Sequence, residues 1–302
     1  MSLFPGFEPR MVRSGDVEIF AMTGGSGPPL LLLHGYPQTH AMWHKVAPAL
    51  VEHFTLVIAD LRGYGQSSAP ADDTRHTVYA KRQMAKDAIA LMQSLGHERF
   101  AVAGHDRGGR VAYRLALDAP ERVTKLAVLD IVPTADMWGG MNAEFAIKVY
   151  HWAFLAQPAP LPETLIGAHP AFYLEWTLAS WTKAKDLSAF DPKALAAYRS
   201  YFSESVRIAA TCADYRAGAT TDRAIDLADR DAGRKIACPV LSLWGGAGLP
   251  AERAAAADPE RHPLTAWRRW ADDVRGTAID AGHFLPEEAP GETAAALIDF
   301  FR

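Results

Sequence analysis

The sequence predicts an α/β fold, a mostly parallel sheet with helices on both faces, interrupted by one long helical insertion. Three observations carry that expectation. Short apolar runs alternate with helical patterns through the first half and the end of the chain. The alternation stops between Pro133 and about Lys235, then resumes. Finally, "RFAVAGHD" passes through a glycine-rich turn straight into the helical pattern "GRVAYRLALDA".

Taken in order, "VEIFAMTG" reads as an early strand, and "PPLLLLHGYP" and "FTLVIADLRGYG" as buried strands that end in glycine-rich loops. "RFAVAGHD", "KLAVLDIVP", "CPVLSLWGG" and "TAIDAGHF" continue the series. Between them, "MWHKVAPALVEH", "YAKRQMAKDAIALMQSLG" and "GRVAYRLALDA" repeat apolar residues at helical spacing, and "EEAPGETAAALIDFFR" supplies a last helix whose start is blurred by Pro290 and Gly291. The interrupted stretch is rich in aromatics and helical in spacing ("NAEFAIKVYHWAFLA", "PAFYLEWTLASW", "DPKALAAYRSYF"). A separate helical domain is one reading. Resumption of the strand pattern directly afterwards favours a cap, residues 134–234, inserted into a core of residues 1–133 and 235–302. The patch Ala254–Ala257 reads as a surface loop or short helix.

Bulk properties narrow the function. The 302 residues are 49 % hydrophobic and can bury a large core; a formal charge of −4 with no long basic run argues against a general polyanion binder. No apolar stretch suits a signal peptide or a membrane span. Cys212 and Cys238 match no metal-ligand spacing and read as free thiols, so the expectation is a cytoplasmic protein.

In such sheets the loops at the carboxyl ends of the strands carry the chemistry. Gly104 and Gly108 flank Asp106 at two residues on either side, the spacing of a nucleophile elbow. The following helix aims its N–H groups and positive dipole end at the tip, favouring an ionised carboxylate. Unlike serine, a carboxylate needs no base before it attacks, and it can displace a leaving group from saturated carbon to give an ester. An ordinary helix N-cap would explain Asp106 alone, but not its flanking glycines together with the other pieces. His283, in the loop after the last strand, is the expected base for hydrolysing that ester. Asp130, closing the strand "KLAVLD", is its expected acid partner; a capping or surface aspartate is the alternative. His34 and His105 sit in motifs but read as structural.

These motifs resemble the haloalkane dehalogenase and epoxide hydrolase branch of the α/β-hydrolase fold, nearly end to end. In "HGYPQ" the resemblance implies an oxyanion hole from the backbone N–H of Tyr36 and that of Arg107, with Tyr36–Pro37 a candidate cis bond. "DLRGYGQSS" is implied to be architectural, with Asp60 and Arg62 as braces. Where that branch commonly carries tryptophan after the nucleophile, this chain has Arg107, with Arg110 on the same helix start. Each alone could be a structural ion pair; together, two guanidinium groups suit a small anionic substrate.

"GHDRGGR", "LDI", "YHW" and "DYRAGA" together resemble fluoroacetate (haloacetate) dehalogenases. That resemblance implies Arg107 and Arg110 on the substrate carboxylate, and His151, Trp152 and Tyr215 on the halide. On periodicity alone, His151 and Trp152 belong to the packed stripe of an amphipathic helix. Trp181 is a candidate for the pocket wall, and Tyr36 stands where phenylalanine is expected. The implied enzyme hydrolyses small 2-haloacids, with no metal or organic cofactor, as a homodimer. An epoxide hydrolase with the same aspartate and histidine is the enzymatic alternative, and a non-catalytic ligand-binding protein the other.

Overall fold

The computed structural model describes residues 2–248 and 259–302; the Ala254–Ala257 patch lies outside them. Among the described residues, eight strands form one sheet: β1 (Glu8–Ser14), β2 (Val17–Gly24), β3 (Pro29–Leu33), β4 (Thr55–Ala59), β5 (Phe100–His105), β6 (Val123–Leu129), β7 (Val240–Gly245) and β8 (Val274–Ile279). Their order is β1-β2-β4-β3-β5-β6-β7-β8. β2 runs antiparallel to both β1 and β4, and every later pairing is parallel.

The centre of the sheet is built from sequences that tolerate burial on both faces. Leu30, Leu31 and Leu32 of β3 have no exposed surface, and neither have Leu56, Val57 and Ile58 of β4. The edges differ. β1 alternates charged and apolar residues and is largely exposed, which is how an outer strand avoids pairing with another chain. The sequence pattern gave no strand there, because no apolar run marks it. The chain steps from β3 to β4 on one side, then back past β3 to β5 on the other. Such a reversal opens a crevice at the carboxyl ends of β3 and β5.

The helices α1 (Ala47–Leu50), α2 (Lys81–Ser94) and α3 (Arg107–Asp118) belong to the core. "MWHKVAPALVEH" reads as one helix but forms a 3-10 turn, His40–Trp43, and the single turn α1. Pro48 explains the break, since its ring and missing N–H are accepted only in a first helical turn. α3 is buried from Arg107 through Leu117, a central pillar between sheet and neighbouring helices.

Between β6 and β7 lie only helices among the described residues: α4 (Thr134–Gly139), α5 (Ala143–Lys148), α6 (Tyr150–Leu155), α7 (Leu161–Ala168), α8 (Pro170–Trp181), α9 (Pro192–Phe202), α10 (Ser205–Ala219) and α11 (Thr221–Asp231). "NAEFAIKVYHWAFLA" is therefore two helices, parted at the buried β-branched Val149 (φ −108°, ψ 32°). α11 is pinned to α3 by Arg114, which bonds Asp226 at 3.0 Å and Asp229 at 2.5 Å, while the Tyr113 hydroxyl donates to Asp226 at 2.7 Å. After β7 come Pro263–Arg268, Leu285–Glu288 and Pro290–Phe301, the last beginning on the proline that blurred its start in the sequence. Cys212 and Cys238 are buried free thiols, and no described helix is long and apolar enough to cross a membrane.

The turn from β5 into α3 leaves no room for side chains. A Cβ on Gly108 would lie 2.4 Å from the His34 carbonyl oxygen and 2.6 Å from the Leu33 backbone. Because these are backbone atoms at the end of a buried strand, relief requires moving the sheet. Gly108→Ala is expected to lower the unfolding free energy by about 1–3 kcal/mol, measured by urea denaturation.

Candidate active site

Asp106 sits at the tip of that turn with φ 43° and ψ −114°, a conformation side chains rarely adopt, which costs about 1–3 kcal/mol. Its carbonyl accepts from Arg110 N at 3.1 Å, so the backbone opens the helix, but its side chain makes no capping bond. Oδ2 instead accepts from the backbone N–H of Tyr36 at 3.0 Å. That contact crosses the crevice between β3 and β5. The Tyr36–Pro37 peptide is cis.

His283 follows β8 and reaches the same crevice from the other side. Its Nδ1 donates to Asp130 Oδ2 at 2.6 Å, while Asp130 Oδ1 accepts from Gly245 N at 2.9 Å. Asp130, at φ 55°, closes β6. Nε2 of His283 is buried without a protein partner. His105 packs beneath, its ring 4.5 Å from that of His283, and its Nε2 donates to the His283 carbonyl at 2.7 Å. His34 accepts from Leu61 N at 3.0 Å, and Asp60 and Arg62 engage His40 and Asp87.

A cavity of about 420 Å³ opens over these groups. Asp106, Arg110, Asp130, His151, Trp152, Trp181 and His283 line it, with an apolar wall of Ile131, Val132 and Met137. Arg110 is held by Val132 O and Thr134 Oγ1, both at 3.1 Å, and lies 4.5 Å from the centre of the Trp152 ring. Its Nε has no partner. His151 packs 4.4 Å from Trp181, which stands edge-on to His283 at 5.3 Å.

Three residues singled out in the sequence lie behind this wall. Tyr36 and Tyr215 are buried edge to face at 5.3 Å. Arg107 is turned away, gripping Asp214 through Nε at 3.0 Å and Nη2 at 2.5 Å, and leaves only Nη1 without a partner.

The family model of the alpha/beta hydrolase fold matches residues 28–290. The chain belongs to that family. A fluoroacetate dehalogenase from Burkholderia sp is 44% identical to it over 99% of this chain and 95% of its own length. A soluble epoxide hydrolase from Corynebacterium sp. (strain C12) is 33% identical over 93% and 92%. A solved structure from Nostoc sp PCC 7120, provisionally described as an alpha/beta hydrolase, superimposes with a TM-score of 0.93 at 52% identity and covers 98% of each chain.

In this alpha/beta hydrolase the electrostatics separate two kinds of group. Burial alone would push the Asp106 carboxyl up; His283, Arg107 and Arg110 outweigh it and hold the group below the usual carboxylate value. Burial pulls His283 down, but the hydrogen bond and charge of Asp130, then the charges of Asp106 and Glu288, raise it above 6.5. Burial pushes His151 and His105 down to about 3, so both rings are neutral.

Asp214 of α10 is the residue that motif reading missed. Fully buried, it also accepts from the Tyr64 hydroxyl at 2.8 Å and pairs with Lys81. Arg107 and Lys81 hold it ionised against its burial. It stands inside "DYRAGA", but its partners come from distant segments that nothing in the local pattern announces.

Removing the Asp130 charge withdraws the largest influence that raises His283. In Asp130→Asn the imidazole titration, followed by NMR of the histidine ring carbons, is expected to have its midpoint moved down from the wild-type value.

Proposed function

We propose that this protein hydrolyses small 2-haloacids, fluoroacetate or chloroacetate, to the 2-hydroxy acid and halide through a covalent aspartyl ester. The observation that carries this reading is a carboxylate, Asp106, sharing one cavity with the unpartnered Nε2 of His283 and the guanidinium of Arg110. The similarity to the Burkholderia fluoroacetate dehalogenase supports it.

The chemistry follows from the contacts. Oδ2 of Asp106 is occupied by the Tyr36 amide, which leaves Oδ1 to attack the carbon bearing halogen. The carbon–halogen electron pair departs with the halide. His151 and Trp152, which line the cavity, meet the leaving ion as neutral donors, His151 because burial keeps its ring uncharged; Tyr215 backs both rings from behind the wall. Arg110 Nε, buried without a partner in the cavity wall, holds the substrate carboxylate, while Arg107, turned to Asp214 behind that wall, contributes its positive charge. Trp181 walls the pocket between His151 and His283.

His283, oriented by Asp130, then takes a proton from water, whose oxygen attacks Cγ of Asp106. The developing oxyanion rests on the backbone N–H groups of Tyr36 and Arg107. Collapse releases the hydroxy acid and restores the carboxylate, which keeps the oxygen from water.

In this reading residues 134–234 form a cap over the core of residues 1–133 and 235–302. The exposed Leu161, Leu165, Phe172 and Trp176 on α7 and α8 are the surface that a second copy would cover in a homodimer. The reducing cytoplasm is the proposed location, consistent with two free thiols. Epoxide hydrolysis is the second reading, favoured by the similarity to the Corynebacterium soluble epoxide hydrolase. Arg110 in the cavity wall favours an acid substrate over a neutral one.

One turnover with excess enzyme in heavy-oxygen water is expected to label the Asp106 carboxylate and not the product; label in the first product molecule sinks the ester. Asp106→Ala is expected to lose at least about 10⁴-fold in halide release, read with a halide electrode. Arg110→Ala is expected to raise KM by about tenfold to a hundredfold, the worth of a charge-assisted hydrogen bond.

A further inference from the structure

The mechanism above uses His283 but leaves open what fixes its backbone in an irregular loop. Glu288, half-buried at the end of the short helix Leu285–Glu288, folds back on that loop. One carboxylate oxygen, Oε1, accepts from Phe284 N at 2.9 Å. The other, Oε2, accepts from Gly282 N at 2.9 Å and from Lys183 N at 2.7 Å. Gly282 and Phe284 are the two neighbours of His283. Lys183 belongs to the inserted helices' chain, two residues past Trp181, and the Trp181 carbonyl itself accepts from His283 N at 2.9 Å. The approach is tight: a Cβ on Gly282 would fall 2.5 Å from both Lys183 N and Trp181 O.

We propose that Glu288 is a positioning residue for His283, locking the backbone on both sides of the imidazole and clipping that loop to the segment beside Trp181. The three successive N–H groups of Gly282, His283 and Phe284, with the His283 carbonyl held by His105, leave the ring little freedom except rotation about its own side-chain bonds, and Asp130 removes that. Glu288 also acts through its charge, being among the groups that raise His283 together with Asp130 and Asp106. The other titratable neighbours, His105 and His151, are neutral, and Lys183 Nζ is paired with Asp280. A glutamine cannot replace this arrangement fully. Its carbonyl can serve Gly282 and Lys183, but its NH₂ then faces the Phe284 N–H, donor against donor.

The inference rests on the proposed ester mechanism, in which His283 acts only in the second half, and the test separates the two. In His283→Ala, mass spectrometry of enzyme mixed with fluoroacetate is expected to show the Asp106 ester; its absence removes both the mechanism and this inference. In Glu288→Ala the halide burst is expected to persist within about twofold while steady turnover falls about tenfold or more, with ester accumulating. Glu288→Gln should recover part of that turnover, and in both variants the NMR midpoint of His283 should move down. Wild-type turnover with an unmoved midpoint in Glu288→Ala, or burst and turnover falling together, overturns the role. Should Glu288→Ala not fold, Glu288→Gln decides alone: slowed turnover with an intact burst supports it, and wild-type turnover overturns it.

Discussion

The hydrogen bond from the Tyr36 amide to Asp106 Oδ2 is the contact on which the rest of the arrangement depends. It joins the loop after β3 to the turn after β5, the two strands between which the chain reverses direction. It also makes the two carboxylate oxygens unequal, one tethered and one free, in a backbone conformation that only a tightly packed turn can enforce. The glycines at 104 and 108 permit that packing, and the strain at Asp106 is met by the burial of α3 on every side.

Around this contact two charge networks divide the work. Near the cavity, Arg110 stands with one edge held by Val132 O and Thr134 and the other unpaired. Deeper, Asp214 gathers Arg107, Lys81 and Tyr64 into a buried cluster. Breaking a buried pair leaves an uncompensated charge, which is far more costly than the pair is stabilising. Asp214 therefore fixes Arg107, and with it the first amide of α3, from the side of the inserted helices. The helices between β6 and β7 are bonded to the rest of the chain through Asp214, through Asp226 and Asp229 with Arg114, and beside His283 through the Trp181 carbonyl and Lys183 N.

The sequence exposed what is local. Strands β3 to β7 were visible because a parallel strand covered on both faces is nearly continuously apolar, and β2 and the edge strand β8 from shorter apolar runs; Asp106, Asp130 and His283 were visible because each ends or follows such a run. β1 escaped since an exposed edge needs no apolar run, and "MWHKVAPALVEH" misled because its spacing outweighed Pro48. The cavity's Arg110, His151 and Trp152 lie in recognisable motifs; Arg107 does too, yet its guanidinium direction depends on Asp214, 107 residues away. Lys81 and Asp214 are 133 apart. Pairs at such separation have no spacing rule, so neither their partnership nor the turn of Arg107 away from the cavity could be read in advance.

Charge also orders the proposed reaction in time. His283 owes part of its raised basicity to the Asp106 carboxylate. Formation of the ester neutralises that carboxylate, and the imidazole's affinity for a proton then falls toward the value that Asp130 and Glu288 alone sustain. The neutral, proton-accepting form of the imidazole is therefore favoured at the moment a base is required. As the ester is hydrolysed the carboxylate charge returns beside the imidazolium just formed, stabilising it by Coulomb attraction in a dry site. One aspartate would thus serve twice, first as the attacking group and then as the charge whose absence and return tune the base.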